Sequence, residues 1–238
     1  EGVQTTHQSA DNFTRRFIIY DYKITNISDR PIQSVWCGIF LDNDVFWRNS
    51  SGCTEARTSD DMIGCLTTWP NPISPIFTDS LMVAWAIDND GDACGNPRFP
   101  RTSARGAMGM RVLRGPTPES RVNFNWFGLE QSLDWGPRLA TDQYEFGGGT
   151  GLPPGDAATY HLMSNNEIDY SQPFAALDFS PEWQRPLAGP PGANIANGLD
   201  SRVCLSSGPV PDLQPGQTVP FTVAFLGGGN VHRDPLNT

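Results

Sequence analysis

Apolar and polar residues alternate along this chain in short runs separated by turn residues. In 15–27, "RRFIIYDYKITNI", Ile18, Tyr20, Tyr22 and Ile24 fall on one face, while Asp21, Lys23 and Thr25 fall on the other. That period of two predicts a half-buried strand. Residues 34–42, "SVWCGIFLD", are almost continuously apolar, as expected of a strand covered on both faces. Residues 80–88 and 107–113 read the same way, and 121–128 and 158–164 give weaker strand signals. The series closes with 202–207 and with 218–226, where Val219, Phe221, Val223 and Phe225 share one face. No stretch sustains a helical period.

Four Gly-Pro pairs, at 115–116, 136–137, 189–190 and 208–209, punctuate these runs. Proline fixes φ and withholds an amide, so these pairs are expected to end strands and to stay out of central ones. Many short strands with Gly, Pro, Asn and Asp between them predict an all-β fold, a β-sandwich of jelly-roll or immunoglobulin-like type. Long irregular loop excursions are expected over 43–79 and 129–157, with a surface loop at 186–198. No repeat or internal boundary appears. The expected organisation is an N-terminal extension (1–16), a single elaborated sandwich domain (17–232) and a C-terminal tail (233–238). The polar extension reads as an assembly arm that adds a strand to a neighbouring subunit.

Composition narrows the partners. The 238-residue chain carries a net charge of −10, which argues against nucleic acid and anionic membrane surfaces and suits cation binding. No run approaches the length needed for a transmembrane helix. The chain begins at Glu1 with neither methionine nor signal peptide, which fits a processed, exported form and equally a piece trimmed from a longer one. Lys23 is the only lysine among 16 basic residues, a bias to which no mechanism attaches.

Five cysteines (Cys37, Cys53, Cys65, Cys94, Cys204) show neither CxxC nor Cys/His zinc spacing. Cys53 and Cys65 bracket a turn-rich stretch, and a bridge between them would contribute roughly 3 kcal/mol. Such a bridge implies an oxidising compartment; the alternative is a set of buried thiols.

The most pointed chemistry is acidic. "DNDGD" places Asp88, Asp90 and Asp92 at the end of one apolar run, and "LDND" places Asp42 and Asp44 at the end of another. The first begins like an EF-hand loop, but its glycine comes at the fourth position and Phe99 stands where glutamate belongs. Clustered carboxylates still favour a hard cation, Ca²⁺ above all. If the two runs end side by side their loops converge, and Asp60 and Asp61 can close the site. The competing reading is turn capping by Asp and Asn.

Other chemistry is thinner. Trp126, Trp135, Tyr170 and Trp183 lie near carboxylates and offer stacking platforms for a carbohydrate-binding module or lectin. Glu130 and Glu167 are the acids a glycoside hydrolase would use. His7, His161 and His232 are scattered, and no G-x-S-x-G occurs. The glycine-rich stretches 145–151 and 226–230 read as turns, and the sequons at Asn12, Asn26 and Asn49 carry no glycan inference.

Several phrases taken in order carry a resemblance: "YDYKITNISDRPIQSVWCGIFLDNDV", "AWAIDNDGD", "NFNWF…LDWGPR", "GLPPGDAATYHLMSNNEIDY" and "DSRVCLSSGPVPDLQPGQTVPFTVAFLGG". Over about residues 17–232 the chain resembles a family of exported bacterial β-rich surface proteins with acidic loops, often attached to cell-surface sorting or anchoring modules. The resemblance implies a secreted domain whose metal would lie on Asp42, Asp44, Asp61, Asp88, Asp90 and Asp92, and it implies no reaction. The leading expectation is therefore a non-enzymatic, extracellular or cell-surface structural protein, calcium-stabilised and self-assembling into a layer, fibre or appendage. Its partner would be its own kind, or cell-surface glycans on the lectin reading.

Overall fold

The alternating runs condense into two antiparallel sheets that face one another. The computed structural model describes residues 1–11, 15–45, 61–70, 78–88, 106–128, 138–139, 153, 155–169, 171–175, 183–184, 198 and 200–229. In chain order the strands are β1 (Gly2–His7), β2 (Phe17–Thr25), β3 (Ile32–Asp42), β4 (Asp61–Pro70), β5 (Thr78–Asp88), β6 (Ala107–Arg114) and β7 (Arg121–Gly128). A two-residue pair, β8 (Arg138–Leu139) and β9 (Trp183–Gln184), helices α1 (Gly155–Ser164) and α2 (Gln172–Ala175), and strands β10 (Ser201–Leu213) and β11 (Thr218–Gly228) complete the set. One sheet has the order β1-β2-β11-β6-β5-β4 and the facing sheet the order β3-β10-β7. The fold is an all-β sandwich, as the alternation predicts.

The core lies where the inward faces meet. Ile63, Ala84, Ala86 and Met110 from the larger sheet pack on Phe124, Trp126, Val203 and Leu205 from the smaller one. Towards β2 the core continues through Phe221, Val223 and Cys37, against which Tyr20, Tyr22 and Ile24 pack. Burying an apolar side chain of this size stabilises by about 1.5–3 kcal/mol, so these two faces dominate the stability. Asn26 ties the sheets together at one end. Its Nδ2 donates to Arg30 O (2.9 Å) and Leu213 O (2.8 Å), while its Oδ1 accepts from Ser28 N (2.9 Å).

Five expectations change. Residues 158–164 belong to α1 rather than to a strand. Ala158 and Leu162, four apart, give it one buried row, which suffices because the smaller sheet supplies the rest. The last carbonyls of a helix lack intrahelical donors; here Asn123 Nδ2 reaches Met163 O (2.7 Å), Asn125 Nδ2 reaches Leu162 O (3.0 Å) and Ser206 Oγ reaches Met163 O (2.8 Å). The expected excursion 43–79 contains β4. Its central Gly64 sits where a Cβ would lie 2.2 Å from the Trp85 ring, so glycine is required for close packing and not as a breaker.

The third change is at Gly208–Pro209, a cis pair inside β10, the central strand of its sheet. A register shift between Ser207 and Val210 leaves Pro209 without a ladder partner on β3, and pairing with β7 ends at Gly208. A bulge thus absorbs the missing amide. Fourth, β3 is not covered on both faces along its length: it is an edge strand, with Ile32 44% and Phe40 41% exposed. Fifth, Gly2–His7 is no free arm but the outermost strand of the larger sheet, paired antiparallel with β2 from Gly2↔Ile24 to His7↔Ile19.

The sandwich has two dissimilar flanks. At one, segment 165–172 runs from the edge of β7 to the edge of β4. Phe124 N donates to Glu167 O (3.0 Å), Asp169 N donates to Phe124 O (2.9 Å) and Trp126 N donates to Asp169 Oδ2 (3.2 Å). Across the gap, Ile63 N donates to Gln172 Oε1 (3.0 Å) and Cys65 N donates to Ser171 Oγ (3.1 Å). Two amides of β4, those of Ile63 and Cys65, are thus satisfied by side chains. At the other flank lie β1, exposed at all six residues, and β3, which among the described residues pairs only with β10.

Candidate functional site

Two regions compete for function: the acidic end and the unsealed flank. At the acidic end, β3, β5 and β7 finish and β4, β6 and β10 begin, as the pairs Asp61↔Asp88, Ile87↔Ala107, Arg202↔Asp42 and Ser201↔Gly128 require. The strands ending at Asp42 and Asp88 are in different sheets and are not neighbours. They do end at the same end of the sandwich, which brings Asp42, Asp44, Asp61 and Asp88 to it. Asp90 and Asp92 lie outside the described residues.

Asp61 is fully buried, and its Oδ1 accepts from Val45 N (3.2 Å), linking the residues after β3 to the start of β4. Asp88, 4% exposed, stands opposite it on β5. Asp42 Oδ2 lies 3.1 Å from Arg202 Nη2, and Asp200 Oδ1 lies 3.2 Å from Nη1. Burial raises the Asp44 carboxyl above the ordinary 3.8, Asp42 raises it further, and Arg202 opposes them. Among the described residues, no three acids, histidines or cysteines gather as a ligand set. Arg202 and the Val45 amide already compensate part of the charge that a cation was expected to balance. A hard cation here fits only if Asp90 and Asp92 complete the oxygen shell of six to eight ligands that calcium takes.

The sugar-binding expectation loses its first residue. Trp126 is fully buried between the sheets, so it presents no ring face to a ligand. Trp135 and Tyr170 lie outside the described residues, and Trp183 is placed only as part of β9. Glu167 serves the sealed flank: its Oε2 accepts from Asn165 Nδ2 (3.3 Å) and its backbone oxygen holds β7. Glu130 lies outside the described residues. Cys65, expected to pair with Cys53, is a free thiol on β4, as are Cys37 and Cys204; Cys53 itself lies outside the described residues. Burial pushes the Cys37 thiol up to about 11 and those of Cys65 and Cys204 up to about 12. They are inert thiols rather than nucleophiles. Between β3 and α1 lies a groove of about 280 Å³ lined by Phe40, Leu162, Met163 and Cys204, with no convergent polar group to fix a ligand.

The unsealed flank is where unused bonding capacity remains. The β1–β2 ladder is anchored at its end by Thr25 N to Glu1 O (2.8 Å) and by Glu1 N to Thr25 O (2.9 Å). His7 Nε2 meets Asp21 Oδ2 at 2.9 Å on the outer face. The Thr222 hydroxyl donates to Asp21 Oδ1 and is the main cause holding the Asp21 carboxyl below 3.8; burial opposes it and His7 assists. No strand covers the outer edge of β1 or that of β3 among the described residues. No alternation marks this strand within its own sheet: "GVQTTH" has a single apolar residue, Val3, itself 55% exposed.

No protein-family model matches the chain, and no curated protein matches it. No helix among the described residues is long and apolar enough to cross a membrane.

Proposed function

We propose that this chain is a non-enzymatic structural domain of the cell exterior that assembles with copies of itself through the sheet edges of its unsealed flank. One observation carries the reading: one flank has its β4 and β7 edges closed by 165–172, while among the described residues no strand pairs with the outer edge of β1 or β3. An unprotected edge is a template for pairing with another chain, and proteins that stay monomeric cover or blunt theirs. Among the described residues, this molecule does so on one side only. The resemblance to exported surface proteins and the net charge of −10 favour an exterior location. A calcium ion at the acidic end, on Asp44 and Asp88 with Asp90 and Asp92, belongs to the same proposal as a stabiliser of the assembling domain.

Electron micrographs of native material, with light scattering across concentration, test the reading. Ordered filaments, sheets or discrete oligomers are expected. A monodisperse monomer at high concentration, with and without calcium, would remove it. For the cation, chelation is expected to lower Tm by several degrees, and Asp88→Asn with Asp90→Asn to abolish that sensitivity. A melt indifferent to chelator removes calcium and leaves assembly standing.

A further inference from the structure

We infer that strand β1 is an exchangeable element: in the assembled state residues 1–7 of one copy occupy the β2 edge of a second copy, reciprocally. The inference rests on the assembly reading above and names its partner surface. Residues Gly2 to His7 are exposed at every position, so no side chain locks the strand into its own core. Gly2, Gln4 and Thr6 stand opposite Ile24, Tyr22 and Tyr20, on the face that packs against the smaller sheet, yet that sheet does not reach beneath them. What holds β1 is the ladder, the Glu1–Thr25 backbone pair and the His7–Asp21 contact.

The magnitudes make this hold marginal. The net contribution of a ladder bond is no larger than the conformational cost of ordering the residue that makes it. Removing β1 leaves every buried core residue in place, since none belongs to it. The β2 edge it vacates matches one sequence by construction, namely residues 1–7 in the register seen here. A second copy supplies the same sequence with the same contacts, so the exchanged and closed forms differ mainly in tether.

The tether sets the conditions. Residues 8–16 span at most about 30 Å when extended, so donor and acceptor bodies must lie flank to flank. Donor strand and acceptor edge share one flank, and two copies facing each other across a two-fold axis satisfy both at once. In the closed monomer the tether holds β1 at an effective concentration on the order of millimolar. Dilute chains therefore keep their own strand, and copies crowded side by side trade it.

Cross-linking of mixed variants tests this. Val3 and Lys23 are partners in the ladder, both exposed, and such a pair lies within disulfide reach at about 5.5 Å between Cα atoms. The double variant Val3→Cys with Lys23→Cys, oxidised dilute, is expected to close within one chain, which shows that the pair is competent. Chains carrying only Val3→Cys, mixed at high concentration with chains carrying only Lys23→Cys, are expected to yield a 3–23 linkage between two chains, identified by peptide mapping. Absence of that linkage while the double variant closes overturns the exchange.

A second arm uses the chain lacking residues 1–7 and a free peptide of residues 1–9. Saturable binding is expected. Val3→Pro with Thr5→Pro in the peptide deletes the two amides that the Glu1–Thr25 pairing directs at β2, and is expected to weaken binding about thirtyfold. A folded truncated chain that ignores the peptide, or binds the proline peptide equally, overturns the proposal. If native oligomers persist with neither linkage nor peptide binding, exchange fails and assembly stands. If only monomer is found, both fall.

Discussion

The two flanks of the sandwich solve the same problem in opposite ways. Both present edge strands whose alternate amides and carbonyls point out of the sheet. On the β4/β7 flank, side chains of Ser171 and Gln172 and the backbone of 167–169 satisfy them, 106–109 residues away in sequence from the β4 groups they meet. On the β1/β3 flank the larger sheet simply ends in a strand that buries nothing. The lesson is that sealing an edge is not a by-product of folding here. It takes a dedicated polar segment, applied once among the described residues.

The contrast predicts unequal consequences of substitution. Asp169→Ala removes the carboxylate that accepts the buried Trp126 amide, and is expected to cost about 3 kcal/mol in a denaturant titration. Gln172→Ala, which orphans the buried Ile63 amide, should cost about 2 kcal/mol, with Gln172→Glu recovering part of it. The first should also expose the β7 edge and the second the β4 edge, detectable as irregular aggregation distinct from the ordered assembly expected of the native chain. Deleting residues 1–7 is expected to cost about 1 kcal/mol or less, a Tm shift of about 2–4 °C. A larger loss would mean that β1 is integral and that the two flanks do not differ in the way described.

The smallest effect concerns pH. Asp21 has its folded carboxyl held below the ordinary 3.8, chiefly by Thr222 and next by His7, with Arg114 adding a little. A depressed carboxyl stabilises the fold above its unfolded value and loses that contribution as pH falls through the folded one. Amide hydrogen exchange at Val3 and Thr5, corrected for intrinsic rate, should therefore speed up only below about pH 4. Asp21→Asn should flatten that dependence without moving the exchange of core amides.

How much of this was legible in the sequence follows from where burial is one-sided. Tyr20, Tyr22 and Ile24, and Val219, Phe221 and Val223, alternate because one face of each strand meets the core. β1 has no buried face and so writes no alternation; its strand character comes from the β2 backbone alone. β4 was hidden within the turn-rich stretch 43–79, and its Gly64 is a packing requirement of Trp85. Helix α1 was hidden because Asn123, Asn125 and Ser206 on other elements complete its C-terminus. The acids at 42, 44, 61 and 88 lie at one end because each flanks an apolar strand, but the strands ending at 42 and 88 belong to different sheets and are not the neighbours that the sequence suggested. That Arg202 would answer Asp42 was not legible, since β10 begins 160 residues later. The Trp126 ring, attractive as a sugar platform by its neighbours, alternates with Asn123 and Asn125, and that pattern already assigns it to the inner face.

The end at which the acids gather has a further consequence. At the far end the described connections are brief, 26–31, 115–120 and 214–217, each tied by its own hydrogen bonds, and 71–77 departs from the same end. Intervals 43–60, 89–106 and 129–154 all depart from the near end, where lengthening a connection costs only about 0.6 kcal/mol per doubling. Sequence can therefore be added, lost or exchanged there without disturbing strand register, and the body behaves as a mount whose top can be re-equipped. Grafting a foreign epitope between residues 43 and 60 should leave the sandwich folded, whereas the same insertion at 214–217 should not.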